Sequence, residues 1–218
     1  MKIENKNKLL VPEPTVRRLS HYRYLLENLK RDGRLIVSST LIANELILDS
    51  IQVKKDIQFT GITGQPKKGY KINELLQAID EILNWHKDEK AFLIGAGSLG
   101  HAMLGYHGFK ECGLNFVAAF DTDSEKVGQS IAGVEVLELD RLVVIAKMMK
   151  VKIGVIAVPA PNAQKCADIL IEGGIKAIWN FAPVRLKVPE HIIVENAQFT
   201  QSLAILTHKL GVSLKTKN

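Results

Sequence analysis

The segment AFLIGAGSLGHAMLGY, residues 91–106, limits the possible folds more than any other part of the chain. Its four leading apolar residues suit a strand covered on both faces. They run into Gly95-Ala96-Gly97-Ser98-Leu99-Gly100 and then into a stretch with helical periodicity. The first glycine permits a tight turn, the second lets a ligand's phosphates approach the backbone, and the third lets helix pack on strand. A helix N-terminus then offers amide hydrogens and a positive dipole end to an anion. Strand, loop and helix in that order predict a dinucleotide site built by Gly95, Ala96, Gly97, Ser98, Leu99 and Gly100.

A second strand, FVAAF over residues 116–120, ends at Asp121, 21 residues after Gly100. A carboxylate there can accept hydrogen bonds from both adenosine ribose hydroxyls and repels a 2′-phosphate, which favours NAD(H) over NADP(H). A CoA-type ligand on the same fold is the alternative. Further apolar runs at 153–158, 177–181 and 192–194 alternate with helical segments, the pattern of a parallel sheet covered on both faces. Gly154 and Pro159 flank one strand end. The following loop, VPAPNAQ over 158–164, places Val158 and Pro159 where a ligand-facing turn belongs.

Residues 15–83 have a different rhythm. Leu19, Tyr22, Leu26 and Leu29 recur at helical steps, and Gly33 sits where a helix ends. A second helix starts near Ser38, a natural N-cap, with Leu41, Ile42 and Leu46 on one face. After a break at Leu48–Asp49, a third carries Val53 and Ile57 inward, with Gln52, Lys55 and Asp56 expected to face elsewhere. Residues 61–70, GITGQPKKGY, form a Gly/Pro-punctuated hairpin tipped by Lys67 and Lys68, and a last helix spans 72–86. Three helices, a tight turn and a basic hairpin predict a winged helix-turn-helix, whose short helix enters the major groove while lysines neutralise phosphates. A small helical dimerisation cap is the alternative. The boundary falls at 84–90.

Charge agrees with a nucleic-acid partner. Lysine and arginine outnumber aspartate and glutamate 29 to 23, and residues 1–35 carry nine of the cations. A second excess, Lys54, Lys55, Lys67, Lys68 and Lys71, is opposed in its own stretch only by Asp56. No apolar run is long enough for a membrane span, and residues 1–10 lack a signal peptide's apolar core, so a cytoplasmic protein is expected. Cys112 and Cys166 have no metal or disulfide spacing and read as structural thiols.

A dehydrogenase needs a proton donor beside the nicotinamide. His101 follows the glycine loop, where helix geometry directs it along the phosphates, and His107, His191 and His208 lack a motif-spaced carboxylate. Catalytic residues and metal ligands are therefore expected to be absent, and the nucleotide is read as sensed. The alternative is an NAD-dependent oxidoreductase with a helical N-terminal cap.

From about Pro12 to Leu210 the chain resembles the Rex family of redox-sensing transcriptional repressors. The likeness is carried by TVRRL (15–19), SS (38–39), QVKKD (52–56), GAGSLG (95–100), AFDTDSEKVG (119–128), AVPAPNAQ (157–164) and WNFAPV (179–184). It implies a winged helix-turn-helix domain over residues 1–84 and a Rossmann domain over 89–198 that takes NAD(H) as a regulatory ligand. It also implies a C-terminal helix over 199–218, swapped between the subunits of a cytoplasmic homodimer. Such proteins bind palindromic double-stranded operators and release them when NADH binds.

The resemblance further implies roles for individual residues. Gln52, Lys54 and Lys55 fall on the recognition helix, with Lys54 in place of the usual arginine. Arg17, Arg18 and Ser39 join Lys67 and Lys68 in the DNA-facing set. Tyr106 falls near the nicotinamide and Phe199 on the swapped helix that meets it. Three departures stand out: Gln58, Phe59 and Thr60 replace Ser-Tyr-Phe, Tyr24 stands where an arginine is usual, and Gln198 stands where a carboxylate is usual. The last two remove both halves of an ion pair that links head to nucleotide domain, which leaves no unpaired charge and predicts a weaker switch.

Overall fold

A computed structural model describes residues 11–197 and 199–215, in two compact units over 1–87 and 88–218. In the first unit, α1 (Glu13–Arg31), β1 (Ile36–Val37), α2 (Ser39–Leu46), α3 (Ser50–Gln58), β2 (Tyr70–Lys71) and α4 (Ile72–Leu83) follow one another. Leu19, Tyr22, Leu26, Val53, Ile57, Leu75 and Ile79 close a core between the helices. Side-chain caps set the helix starts of the turn motif. Ser38 accepts from the amide of Leu41, and Asp49 accepts from those of Ile51 and Gln52. Antiparallel β1 and β2 join Val37 to Tyr70, and the Gln65–Gly69 bridge extends the ribbon into a wing. Lys67 turns that wing with φ +62°.

Ile47, between α2 and α3, is unusual. Its φ of +55° lies in the left-handed region, where a β-branched side chain is strained, and it is 93% exposed. Helix-turn-helix turns often carry glycine at such a point.

The second unit holds β3 (Glu89–Ile94), α5 (Ser98–Gly105), α6 (Gly108–Glu111), β4 (Leu114–Asp121), β5 (Ser130–Ile131) and β6 (Val134–Glu138). It continues with α7 (Leu142–Met149), β7 (Ile153–Ile156), α8 (Ala160–Glu172), β8 (Ala177–Asn180), β9 (Ile193–Asn196) and α9 (Phe199–Lys215). The sheet order is β5-β6-β4-β3-β7-β8-β9, parallel except for the β5–β6 hairpin. This is a doubly wound α/β sheet that reverses direction between β3 and β7. Alternation divides its faces: Phe92, Ile94 and Phe120 pack in one core, Leu93, Ala119 and Val155 in another.

One expectation needs correction, and one element was not foreseen. Gly154 lies inside β7, not at a ligand-facing end, and a Cβ there would collide with Leu170, so it serves helix packing. The hairpin over 130–138 had no counterpart in the sequence reading. It turns through Ala132 and Gly133, both at positive φ, and alanine is an uncommon residue for that turn.

Described α9 has no buried residue; Leu203, Leu206 and Leu210 are each more than half exposed. No described helix is long and apolar enough to cross a membrane.

Candidate functional site

Strand register assembles the nucleotide site. Ile94 pairs with Phe120 on one side and with Ile156 on the other, so Gly95, Asp121 and Ala157 meet at the carboxyl edge of the sheet. The Gly95 amide donates to Phe120 and that of Ala157 donates to Ile94, both at 2.8 Å. Gly95 has φ +99°, and a Cβ there would strike the carbonyl of Ala157. A Cβ on Gly100 would strike the carbonyl of Gly95, whereas nothing lies within 4 Å of one on Gly97. The loop is therefore closed at its two ends and open in the middle, where Ser98 and Leu99 are exposed at the start of α5. That opening suits a phosphate facing free amides.

Asp121 is more deeply committed than the sequence suggested. One oxygen accepts from the amide of Ala96 at 2.8 Å and the other from that of Asp123 at 3.0 Å. Lys126 lies 3.6 Å from Asp121 and 3.0 Å from Asp123. A carboxylate has about four acceptor positions, so each oxygen keeps room for a ribose hydroxyl. Next to it, a slot of about 120 Å³ is walled by Phe120, Leu139 and Val158, with Asn162 and Lys165 at its polar side. Pro159 is the N-cap residue of α8, next to Val158 in the chain. Cys166 lines the slot too, and burial pushes its thiol up to about 11, which leaves it protonated and inert.

Tyr106 and Phe199 stand at opposite ends of a chain of rings. Tyr106 meets Phe109 at 5.0 Å, Phe109 meets Trp179 at 5.4 Å, Trp179 meets Phe181 at 4.7 Å, and Phe181 meets Phe199 at 5.8 Å. Beside the last pair lies a hollow of about 440 Å³. Buried Asn180 fixes its wall: the side chain donates to the carbonyls of Ala182 and Val184 and to Asn196, and accepts from the amide of Ala182. Sequence reasoning assigned this asparagine no role.

The sequence reading held that no Tyr-x-x-x-Lys spacing, the mark of one dehydrogenase type, occurs; Tyr106 and Lys110 have it. The chain is extended at Tyr106, with ψ 105°, and α6 begins only at Gly108. The two residues therefore do not share a helical face as that pair requires. Among the described residues no cluster of metal-ligating side chains occurs.

In the first unit, Lys54 and Lys55 are exposed on α3, Lys67 and Lys68 on the wing, and Arg17 on α1, where it pairs with Glu13. Two members of the expected DNA-facing set are turned inward instead. Ser39 is buried at the start of α2. Arg18 grips Asp56 through Nε at 2.6 Å and Nη2 at 2.8 Å. Asp56 itself, expected to face outward, is fully buried. Burial alone would raise its carboxyl, but hydrogen bonds from Arg18, Tyr22, Gln52 and Thr15 outweigh it and hold the group below the usual carboxylate range. Its spacing was the missed signal. Val53, Asp56 and Ile57 follow the i, i+3, i+4 rule of one helical face.

A groove of about 760 Å³ in this unit, lined by Glu27, Lys30, Asp80, Glu81 and Lys87, mixes both charges and presents no single ligand chemistry.

Fold and site together define an α/β protein that joins a winged helix-turn-helix unit to a dinucleotide-type sheet. Residues 10–57 match the family description "Putative DNA-binding protein N-terminus", and residues 86–184 match "CoA binding domain". The redox-sensing transcriptional repressor Rex of Treponema denticola is 45% identical over 204 residues, covering 94% of this chain and 95% of that protein. Its counterpart in Bacteroides thetaiotaomicron is 40% identical, with 96% of each chain covered. Among solved structures, the repressor RSP in complex with β-NAD⁺ and operator DNA superimposes with a TM-score of 0.88 at 34% identity, covering 95% of this chain and 96% of that one. RSP in complex with β-NADH gives 0.85 at 33% identity, with 95% and 98% covered. The chain belongs to the Rex family of redox-sensing transcriptional repressors.

Proposed function

We propose that the chain is a cytoplasmic, homodimeric repressor that reports the NADH/NAD⁺ ratio. Residues 1–84 hold palindromic operator DNA, 89–198 bind NAD(H), and 199–218 join the subunits. The meeting of Gly95, Asp121 and Ala157–Val158 at one sheet edge, open over Gly97, carries this reading. Pyrophosphate lies over residues 95–100, the adenosine ribose on Asp121, and the adenine in the slot by Val158 and Pro159. The nicotinamide reaches towards Tyr106 and a partner's Phe199. The nucleotide is a ligand only. Lys54 and Lys55 face the groove, while Arg17, Lys67 and Lys68 contact phosphates; Arg18 positions α3 through Asp56 and touches no DNA.

Exposed apolar side chains along α9 support dimerisation, because a terminal helix of this kind needs a covering surface. Tyr24 is 69% exposed and uncharged, so it supplies no ionic link. Gln198, the other altered position, lies outside the described residues. The NADH response is accordingly smaller than in relatives that keep the ion pair, since a ligand shifts an equilibrium only by its differential affinity for the two states.

The test is selection of duplexes from a random DNA pool, followed by anisotropy titration with NADH and NAD⁺ added separately. A palindromic consensus, released by NADH and not by NAD⁺, is expected. Failure to select any duplex overturns the repressor reading, and turnover of NADH with a small carbonyl compound would favour an oxidoreductase.

A further inference from the structure

Gln52 sits on α3 between the buried face of Val53, Asp56 and Ile57 and the outer face of Ile51, Lys54, Lys55 and Gln58. Its amide nitrogen donates to Asp56 at 3.0 Å. Asp56 also accepts from Thr15 at 3.0 Å, from Tyr22 at 2.7 Å and from Arg18 twice. An ionised carboxylate has no proton to give. Whichever branch of the Gln52 amide faces it must therefore be the NH₂, and chemistry alone settles the orientation.

The consequence falls on the other branch. No described side-chain oxygen is both buried and unpaired, and among the described residues no group donates to Oε1 of Gln52. That oxygen is thus open to solvent on the half-buried flank of α3. A free glutamine can rotate its amide and satisfy either a donor or an acceptor. This one cannot, because rotation would set its carbonyl against the Asp56 carboxylate.

We propose that Asp56 makes Gln52 a one-way reader of the major groove, accepting from a base that carries an exocyclic amine, adenine or cytosine, and rejecting guanine and thymine. In the major groove adenine N6 and cytosine N4 donate, while guanine O6 and thymine O4 only accept. A keto group at that position would oppose the glutamine oxygen. This inference rests on the reading of α3 as the recognition helix.

The experiment compares the full-length protein with Gln52→Met on a set of operators altered one base pair at a time. Methionine matches glutamine in length; it removes one donor to Asp56 and keeps those of Thr15, Tyr22 and Arg18. Native protein should lose about 10- to 100-fold in affinity when the Gln52-dependent base changes from amino to keto. Gln52→Met should flatten that one position, in both half-sites, and no other. Replacing adenine or cytosine there by an analogue lacking the amine should weaken the native protein by a similar factor and leave Gln52→Met unaffected. Asp56→Asn, which can turn its own NH₂ towards Gln52, should reduce or invert the amino preference.

A Gln52-dependent position that prefers guanine or thymine would overturn the inference and leave the repressor reading intact. So would a Gln52→Met profile identical to the native one. If the native protein selects no sequence at all, both fall together.

Discussion

Asp121 at the end of β4 accepts a hydrogen bond of 2.8 Å from the backbone amide of Ala96, which ties the second strand of the sheet to the glycine loop of the first. The residue proposed for the ribose thus also shapes the turn proposed for the pyrophosphate. Asp121→Ala should lower affinity for NADH and narrow the preference over NADPH. It should also destabilise the second unit by about 1–2 kcal/mol, because the amide of buried Ala96 loses its acceptor. Calorimetry with each nucleotide and thermal unfolding measure the two effects. Tighter binding of NADPH than NADH by the native protein would make the ribose assignment wrong.

Asp56 gives the first unit an acid limit. Its folded carboxyl lies below the ordinary carboxylate range, so its contribution is present above that range and disappears as the pH falls through the folded value. Stability of this unit should be pH-independent near neutrality and fall below about pH 4. Asp56→Ala should cost about 3 kcal/mol at neutral pH, since it leaves Arg18 without its partner, and should flatten the acid limb. Denaturant melts at several pH values check both.

At Ile47 the strain should be removable. Ile47→Gly relieves a β-branched residue at φ +55° that buries almost nothing. Relief of about 1–2 kcal/mol outweighs the added chain entropy, so a net gain of about 0.5–1 kcal/mol is expected. An unchanged or lower melting temperature would show that the exposed side chain has another role.

Substitution on α9 tests the dimer. Leu206→Asp should yield monomers in light scattering at concentrations where the native chain is dimeric, with the melting of the N-terminal unit unchanged. A native chain that is monomeric at micromolar concentration would remove the shared-helix reading.

Lysines on the wing and on α3 should fail differently. Lys67→Ala should weaken all duplexes alike and lower the salt slope by about one unit, whereas Lys54→Ala should relax preference at one base pair by about 1–3 kcal/mol. Anisotropy at several salt concentrations separates the two.

Local pattern alone determined the elements that build both units. The helical steps of Leu19, Tyr22, Leu26 and Leu29, the cap at Ser38 and the glycines of residues 95–100 act over a few neighbouring residues, and the structure places each where its spacing predicts. Asp121 was legible for the same reason, as a polar residue closing an apolar strand. What tertiary packing alone decided lies between distant segments. Three of the four partners of Asp56 come from 34 to 41 residues away on α1, and helical spacing alone does not bury a charge before those donors are in place. The same holds for the pairing of Arg18 with Asp56, for buried Asn180, and for the aromatic chain from Tyr106 to Phe199. A charged group goes inside only when the fold supplies the hydrogen bonds that replace water, and those depend on the whole packing of the unit.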